Sequence, residues 1–198
     1  MTHQIVLATN NANKCHEMTS LLSDLPVSVS PYKDIYPNPV TIIEDGLTFE
    51  ENAIKKVTAF SLKANTILVA DDSGLEVDIL DGAPGIYSAR YAGENASKEE
   101  LCHKLLKELH HTGNRDAQFQ CVIAIRFPDN AIQTTSGIIR GHISPDLVGD
   151  NGFGYDAVFI PEGDDRTFAQ MSSQEKNALS HRHIALQQAK ILIQDALI

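Results

Sequence analysis

Short runs of consecutive apolar residues alternate along this chain of 198 residues with segments in which apolar residues recur every three or four positions. The apolar run 5–8 leads into the polar segment 9–14, after which apolar residues recur at three- and four-residue spacing up to Leu25. The run predicts a buried strand, the segment a polar loop and the recurrence a helix. Residues 31–39 are predicted to form a loop, and 128–130 a hairpin turn. Since strands and helices are interleaved in this way, the sequence predicts an α/β fold with a mixed sheet.

Charge and cysteine usage exclude several classes of protein. The chain has 16 Lys and Arg against 26 Asp and Glu, a net charge of −10, which repels nucleic acid and anionic lipid at long range. No apolar run approaches the roughly 18 residues of a membrane span, and the N-terminus lacks a basic leader. Cys15, Cys102 and Cys121 are widely spaced, as in reduced cytoplasmic proteins. We expect a cytoplasmic protein with neither nucleic acid nor membrane as a partner.

Two adjacent carboxylates, Asp71 and Asp72, follow the apolar run 66–70 and are predicted to end that strand. Carboxylates at such a place are costly unless a cation, a proton or hydrogen bonds compensate them. On an extended backbone the two side chains point to opposite faces, so one can face a ligand while the other makes structural hydrogen bonds. Mg²⁺ commonly takes one or two carboxylates plus substrate phosphate. A simple Asp-Ser-Gly turn is the alternative.

The polar segment 9–14 is a second candidate site. It contains no glycine and is therefore not a P-loop. It does supply a hydroxyl, three amides and an ammonium ahead of a helix start, where backbone N–H groups can hold an anion. The spacing is compatible with phosphate binding and equally with an ordinary polar connection between the strand and the helix. Its members are Thr9, Asn10, Asn11, Ala12, Asn13 and Lys14.

Two further groups of residues lie in the C-terminal third. The loop 150–156 places Phe153 between two glycines, where an aromatic ring can stack on a base; a core Phe in a turn is the alternative. Lys176, His181 and Arg182 lie near the starts of two consecutive predicted helices. They could donate to an anion or a carbonyl, or form a solvated charged face.

These motifs also occur in a specific order. The chain carries ATNN through Lys14, then TFEENA, ADDSGL, GAPGIYSARY, GFGYD, and EKNA followed by SHR. From residue 5 to about residue 190, this ordered set resembles the inosine triphosphate pyrophosphatase family. The bacterial members of that family are the dITP/XTP, or non-canonical purine NTP, pyrophosphatases.

The resemblance implies an elongated α/β fold, one pyrophosphatase domain over residues 1–198 with two lobes around a central cleft, and a homodimer. It implies Mg²⁺-dependent hydrolysis of ITP, dITP or XTP to the monophosphate and pyrophosphate. Residues 9–14 and Lys56 would hold the triphosphate. Glu44 and Asp72 would bind Mg²⁺, with Asp72 also the proton acceptor and Ser73 a substrate contact. The nucleoside would be held by Phe153, Gly154, Tyr155, Asp156, Lys176, His181 and Arg182.

Hydrogen-bond polarity gives a reason for base choice. Hypoxanthine and xanthine present a keto acceptor at position 6, where adenine presents an amino donor. The donors Lys176, His181 and Arg182 would therefore favour the keto bases, because a mispaired buried polar group costs about 1–3 kcal/mol.

Three other readings stay open. A haloacid-dehalogenase-like phosphatase needs a second Asp two positions after the first, but Asp71 is followed there by Ser73 and Asp72 by Gly74. A related house-cleaning pyrophosphatase could prefer pyrimidine or modified bases. A non-catalytic nucleotide sensor would keep the pocket, but it would not need a water-activating carboxylate.

Overall fold

The computed structural model describes residues 3–36, 38 and 40–197, through which short strands and helices alternate. The strands are β1 (Gln4–Leu7), β2 (Ser28–Pro31), β3 (Thr66–Val77), β4 (Asp116–Arg126), β5 (Ile132–Ile143) and β6 (Phe159–Pro161). The helices are α1 (Ala12–Leu21), α2 (Tyr32–Ile35), α3 (Phe49–Thr58), α4 (Lys98–Glu108), α5 (Ser173–Leu179) and α6 (His181–Ala196). Short 3₁₀ segments lie at Asp78–Leu80, Gly85–Arg90 and Phe168–Gln170.

The strands of the described residues form a six-stranded sheet in the order β2-β1-β3-β4-β5-β6. β1 is parallel to both of its neighbours, and Val6 lies opposite Ser30 of β2 and Leu68 of β3. α1 provides the crossover that the parallel pair β1 and β2 requires. β5 is antiparallel to β6. β4 and β5 are neighbours joined by a tight turn at Asn130, which is the predicted hairpin. The prediction of an α/β fold with a mixed sheet is confirmed.

The chain divides into two compact units, which are described separately. Unit 1 comprises Met1–Asp72, Cys121–Gly137 and Arg182–Ile198, and unit 2 comprises Ser73–Gln120 and Ile138–His181. Three boundaries fall inside β3, β4 and β5 and the fourth inside α6, so each of these elements contributes residues to both units. The predicted single domain and its cleft remain predictions.

The core of unit 1 is built from β1, β3 and β4 together with α1 and α6. Ile5 and Leu7 lie two residues apart on β1, and their side chains share a face because side chains alternate along a strand. Met18 comes from α1, and Ala185 and Ala189 lie one turn apart on α6. All five are fully buried. Burying an aliphatic side chain of the larger kind contributes about 1.5–3 kcal/mol.

The core of unit 2 contains a cluster of aromatic rings. The ring centroid of Phe159 lies 4.7 Å from that of Phe119 and 5.2 Å from that of Phe168. Tilted arrangements at these distances are the favourable ones for aromatic pairs. Leu101 and Leu105 lie four residues apart on α4 and add one apolar helix face.

Local caps begin the predicted helices. A serine followed three residues later by a glutamate predicts a capping box, and Ser97 and Ser172 each form one with that glutamate. Thr48 accepts a bond from the Glu51 N–H at 3.1 Å, but the Glu51 carboxylate accepts from the Leu47 N–H at 2.7 Å. The spacing of Thr48 and Glu51 predicts the same capping box, but α3 has the threonine cap without the return bond to the cap residue.

Some predicted boundaries were wrong. The strand that was expected to end at the aspartates continues to Val77, which places Asp71 and Asp72 inside β3. The cationic partners described below compensate the charge of both carboxylates, which allows the strand to continue through them. The alternative of a turn is therefore wrong as well.

Two segments predicted as loops contain helix. α1 already begins at Ala12, so Ala12, Asn13 and Lys14 form its first turn. Residues 31–39 contain α2 after the last residue of β2, while Pro37 and Pro39 lie outside the described residues.

The three cysteines are free thiols, as expected. Cys102 and Cys121 are buried and Cys15 is half-buried. Burial raises the pKa of both buried thiols to about 12. Among the described residues, no helix combines the length and the apolar character needed to cross a bilayer.

Candidate active site

The junction of β1 and α1 forms a polar helix start in unit 1. Asn11 is the N-cap, and its Oδ1 accepts from the N–H groups of Asn13 at 3.0 Å and Lys14 at 3.2 Å. The Thr9 hydroxyl accepts from the Asn11 N–H at 3.2 Å. The exposed members of the segment are Asn10, Asn11, Ala12 and Asn13. Exposed amides around a helix N-terminus suit an anionic ligand.

Asp71 is fully buried in β3, and its carboxylate lies in an ion-pair cluster. Its Oδ2 accepts from Lys14 Nζ at 2.9 Å and from Nε and Nη2 of Arg182, both at 3.3 Å. Burial alone would raise the pKa of Asp71, but the charges of Lys14 and Arg182 outweigh it and hold that pKa well below its usual range. One of the two adjacent aspartates was expected to make structural hydrogen bonds, and Asp71 makes such contacts.

Asp72 has different partners, as the alternation of side chains along a strand requires. Lys56 Nζ lies 2.8 Å from Asp72 Oδ1 and 2.9 Å from Glu44 Oε2, and it donates to the main-chain oxygen of Asp71 at 2.9 Å. Burial alone would lower the pKa of Lys56, but Asp72, Asp71 and Glu44 outweigh it and raise that pKa. The ammonium of Lys56 is therefore held in its charged form among three oxygens.

The donor set at Glu44 and Asp72 fits Mg²⁺. Both carboxylates contact the same ammonium, so they lie close enough to share one cation. In the part of the chain that the structure describes, no group of three or more His, Cys, Asp or Glu is placed to hold a metal ion. Two carboxylates suffice for Mg²⁺, which commonly completes its coordination with water and substrate phosphate. The Glu44 side chain is 40% exposed, which leaves one ligand accessible.

Arg182 lies in unit 1 and is almost fully buried. Its guanidinium contacts Asp71 and the carboxylate of Glu17. Burial alone would lower the pKa of Arg182, but these two carboxylates outweigh it and raise that pKa. The contact with the nucleoside that was assigned to Arg182 stays a prediction.

In unit 2, the loop at 152–156 is folded around Asp156. Its Oδ2 accepts from the Phe153 N–H at 2.8 Å and from Lys176 Nζ at 2.7 Å. Gly152 has a φ of +72°, and a Cβ there would lie 2.1 Å from Asp156 Oδ2. Only glycine permits both this backbone conformation and this close approach.

The same ion pair brings a charge next to an aromatic ring. Asp156 and Lys176 are 4% and 5% exposed, so each needs the other as its counter-ion. Lys176 Nζ lies 4.6 Å from the centroid of the half-buried Phe153 ring, within the range of a cation–π contact. Phe153, Asp156 and Lys176 thus form one local group.

Three other predicted residues, Tyr155, Ser73 and His181, also lie in unit 2. Tyr155 is buried and donates its hydroxyl to the Ser88 carbonyl at 3.0 Å, and burial raises its pKa. Ser73 is half-buried in β3. His181 begins α6 and stacks on Phe119 with 4.8 Å between ring centroids. Tyr155 and His181 therefore each make a contact within unit 2.

Two polar residues with contacts to this site were missed from the sequence. Asn52 donates to Asp72, and Glu17 pairs with Arg182. Asn52 lies four residues before Lys56 on α3, and this spacing places both on one helix face, which could have indicated it. Glu17 and Arg182 are 165 residues apart, and no local pattern joins them.

A scan against family models matches the Ham1 family over residues 5–191. A dITP/XTP pyrophosphatase of Bacillus licheniformis is 43% identical over 98% of this chain and 99% of its own length. A protein of the same description from Desulfotalea psychrophila is 44% identical over 96% of this chain and 85% of its own length.

Solved structures give the same result. The Staphylococcus aureus Ham1 protein is 42% identical and has a TM-score of 0.86, over 97% of this chain and 98% of that one. A Mycobacterium abscessus nucleoside-triphosphatase, also described as a dITP/XTP pyrophosphatase, is 33% identical with a TM-score of 0.74, over 96% and 98% of the two chains. The predicted resemblance is confirmed at the level of the family: this chain belongs to the Ham1 family.

Proposed function

We propose that this chain hydrolyses the non-canonical purine nucleoside triphosphates ITP, dITP and XTP to the monophosphate and pyrophosphate. Its Bacillus and Desulfotalea relatives, named dITP/XTP pyrophosphatases, support this substrate class. The observation that carries the proposal is the contact of the Lys56 ammonium with the carboxylates of both Glu44 and Asp72. This arrangement supplies a cation for phosphate oxygens beside two oxygen ligands for a divalent ion.

The triphosphate is assigned to the cationic and amide groups of unit 1. Lys14 and Lys56 would donate to phosphate oxygens and neutralise the charge that develops as the α–β phosphoanhydride breaks. The Lys56 ammonium contacts three protein oxygens, so it would exchange one of these contacts for a phosphate oxygen. The remaining members of segment 9–14 would donate through Asn side chains, the Thr9 hydroxyl and the backbone at the start of α1.

Mg²⁺ is the proposed cofactor, with Glu44 and Asp72 as its protein ligands. Bound Mg²⁺ would supply Lewis-acid polarisation of phosphate oxygens and a lower pKa for bound water. Asp72 would orient the attacking water and accept its proton. Lys56 Nζ contacts one oxygen of Asp72 at 2.8 Å, which places a cation beside the proposed proton acceptor.

Phe153 and Lys176 of unit 2 are proposed to hold the nucleoside. Phe153 would offer a ring face to the base, and Lys176 would donate to the 6-keto oxygen that hypoxanthine and xanthine share. The Lys176–Asp156 pair fixes the ammonium beside that ring. Further substrate contacts are assigned to Ser73, Gly154, Tyr155, Asp156, His181 and Arg182.

The remaining proposals concern the whole protein. We propose that residues 1–198 act as one pyrophosphatase domain, that the protein is a homodimer and that it works in the cytoplasm. The unpaired cysteines support a reducing compartment. The net charge of −10 supports a small-molecule substrate without nucleic acid as a partner.

The decisive experiment is a pyrophosphate-release assay on ITP, dITP, XTP and the natural nucleoside triphosphates, with and without Mg²⁺. We expect pyrophosphate from ITP, dITP and XTP, weak release from ATP and loss of activity without the metal. Orthophosphate as the first product would contradict the proposal in favour of a phosphatase. Preference for pyrimidine nucleotides, or ITP binding without turnover, would favour the other two readings.

A further inference from the structure

Asn52 is a buried amide whose two ends bond to two different segments of unit 1. It lies on α3 and is 1% exposed. Its Oδ1 accepts from the Gly46 N–H at 2.8 Å, and its Nδ2 donates to Asp72 Oδ2 at 3.2 Å. A buried amide is costly unless both its donor and its acceptor are used. Asn52 meets that requirement by joining the backbone near Glu44 to Asp72.

The segment that carries Glu44 packs closely against the start of α3. A Cβ at Gly46 would lie 2.7 Å from Asn52 Oδ1 and 2.8 Å from the Cβ of Glu51. Contacts this short leave no room for a side chain at position 46. This close packing and the bond to Asn52 together fix the backbone two residues after Glu44.

Asn52 also bonds to the second carboxylate oxygen of Asp72, next to the one that Lys56 contacts. Lys56 Nζ contacts Asp72 Oδ1 at 2.8 Å, and Asn52 Nδ2 contacts Oδ2 at 3.2 Å. The two donors lie four residues apart on one face of α3. A carboxylate held at a single oxygen can rotate about its χ2 angle, whereas donors at both oxygens fix its plane.

We infer that Asn52 is a positioning residue that sets the separation and orientation of the Glu44 and Asp72 carboxylates. This inference rests on the proposed function, in which these carboxylates bind Mg²⁺. Mg²⁺ requires near-ideal octahedral geometry, so small displacements of its ligands weaken binding. Hydrogen-bond partners behind metal ligands typically change metal affinity by about 10- to 100-fold when they are removed.

The test compares N52A with the matched control E51A. The Glu51 carboxylate bonds the Leu47 N–H of the same segment at 2.7 Å, so E51A removes one anchor and leaves the bond between Asn52 and Asp72 in place. Circular dichroism and thermal melting establish that each variant is folded. If N52A does not fold, N52S replaces it, because serine also removes the amide while retaining a small polar side chain.

Two quantities are measured on each variant. The first is the dissociation constant of Mn²⁺, followed by electron paramagnetic resonance with a non-hydrolysable α,β-methylene analogue of ITP. The second is the Mg²⁺ concentration that gives half-maximal pyrophosphate release, together with KM for ITP at saturating Mg²⁺. We expect N52A to weaken both metal constants by about 10- to 100-fold with little change in KM, and E51A to change them much less.

The outcomes separate the inference from the proposed function. Wild-type protein that releases no pyrophosphate from ITP, or binds no Mn²⁺ in the presence of the analogue, would contradict the proposed function. If the wild type behaves as expected while folded N52A matches either the wild type or E51A in both metal constants, the role of Asn52 is overturned. A loss confined to thermal stability also overturns it, because a purely structural side chain would leave the metal constants unchanged.

Discussion

Lys56 and Asp72 form an ion pair of 2.8 Å between Nζ and Oδ1, and less than a tenth of either side chain is exposed. A pair buried to this extent is strongly coupled, because removing one partner leaves a charge with little solvent around it. The pair places a predicted phosphate donor next to the predicted proton acceptor. Its members come from α3 and β3, so the geometry depends on how these two elements pack.

The first prediction concerns Asp72. D72N keeps the shape of the side chain but removes the carboxylate that is proposed to bind Mg²⁺ and accept a proton. We expect kcat for ITP to fall by about 100- to 10,000-fold while the protein remains folded. D45N is the matched control, since Asp45 lies next to Glu44 but is exposed and pairs with Lys55. Steady-state kinetics and circular dichroism check both, and normal turnover by D72N would refute its role.

The second prediction concerns base choice. K176M removes the ammonium that lies beside Phe153 and is proposed to donate to the 6-keto oxygen. We expect the ratio of kcat/KM for ITP to that for ATP to fall by about tenfold to hundredfold, the equivalent of 1–3 kcal/mol. K107M, at an exposed lysine of α4, should leave the ratio unchanged. An unchanged ratio in folded K176M would remove Lys176 from base recognition.

The third prediction concerns Asp71 and the pH dependence of stability. Because its ion pairs lower the pKa of Asp71 in the folded state, they stabilise the protein above the ordinary aspartate pKa of about 4, and this stabilisation is lost as the pH falls. D71N removes the buried carboxylate that Lys14 and Arg182 share, and we expect it to cost about 3–5 kcal/mol at pH 6.

Urea unfolding from pH 6 to pH 3 checks this prediction. The difference between wild type and D71N should shrink toward the acid end, because the Asp71 carboxyl of the unfolded wild type takes up a proton at about pH 4 while the folded one stays ionised. D195N, at an exposed residue of α6, should follow the wild type throughout. A difference that stays constant over this range would contradict the ion-pair account.

The fourth prediction compares two glycines of one loop. Gly152 and Gly154 both have positive φ, so alanine at either position strains the backbone by about 1–3 kcal/mol. Only at Gly152 would the new Cβ also meet Asp156, because nothing lies within 4 Å of a Cβ at Gly154. We therefore expect G152A to lower the free energy of unfolding clearly more than G154A does, as measured with urea. Equal losses would mean that Asp156 can move aside.

The fifth prediction concerns the thiols. Burial raises the pKa of Cys102 and Cys121 to about 12, so their reactive thiolate forms are scarce at pH 8. We expect Ellman's reagent to label at most one thiol per native chain, namely the half-buried Cys15, and all three after unfolding in guanidinium chloride. Rapid labelling of two or more thiols in the native protein would disagree with the packing described.

The sequence alone determined the features that depend on neighbouring residues. The apolar run of β1 and the serine caps of α4 and α5 were predictable because strand burial and capping involve residues a few positions apart. The order of the motifs also predicted the family, since each motif is short and local.

Only the tertiary structure decided which charges meet. Arg182 reaches Asp71 across 111 residues of sequence, and this pair, with Lys14, allows β3 to continue through the two aspartates. Asn52 acquired its partners in the same way, from the packing of α3 against β3 and the segment at Gly46. The reason is physical: a buried charge or amide is stable only beside a complementary group, and folding alone brings groups so distant in sequence together.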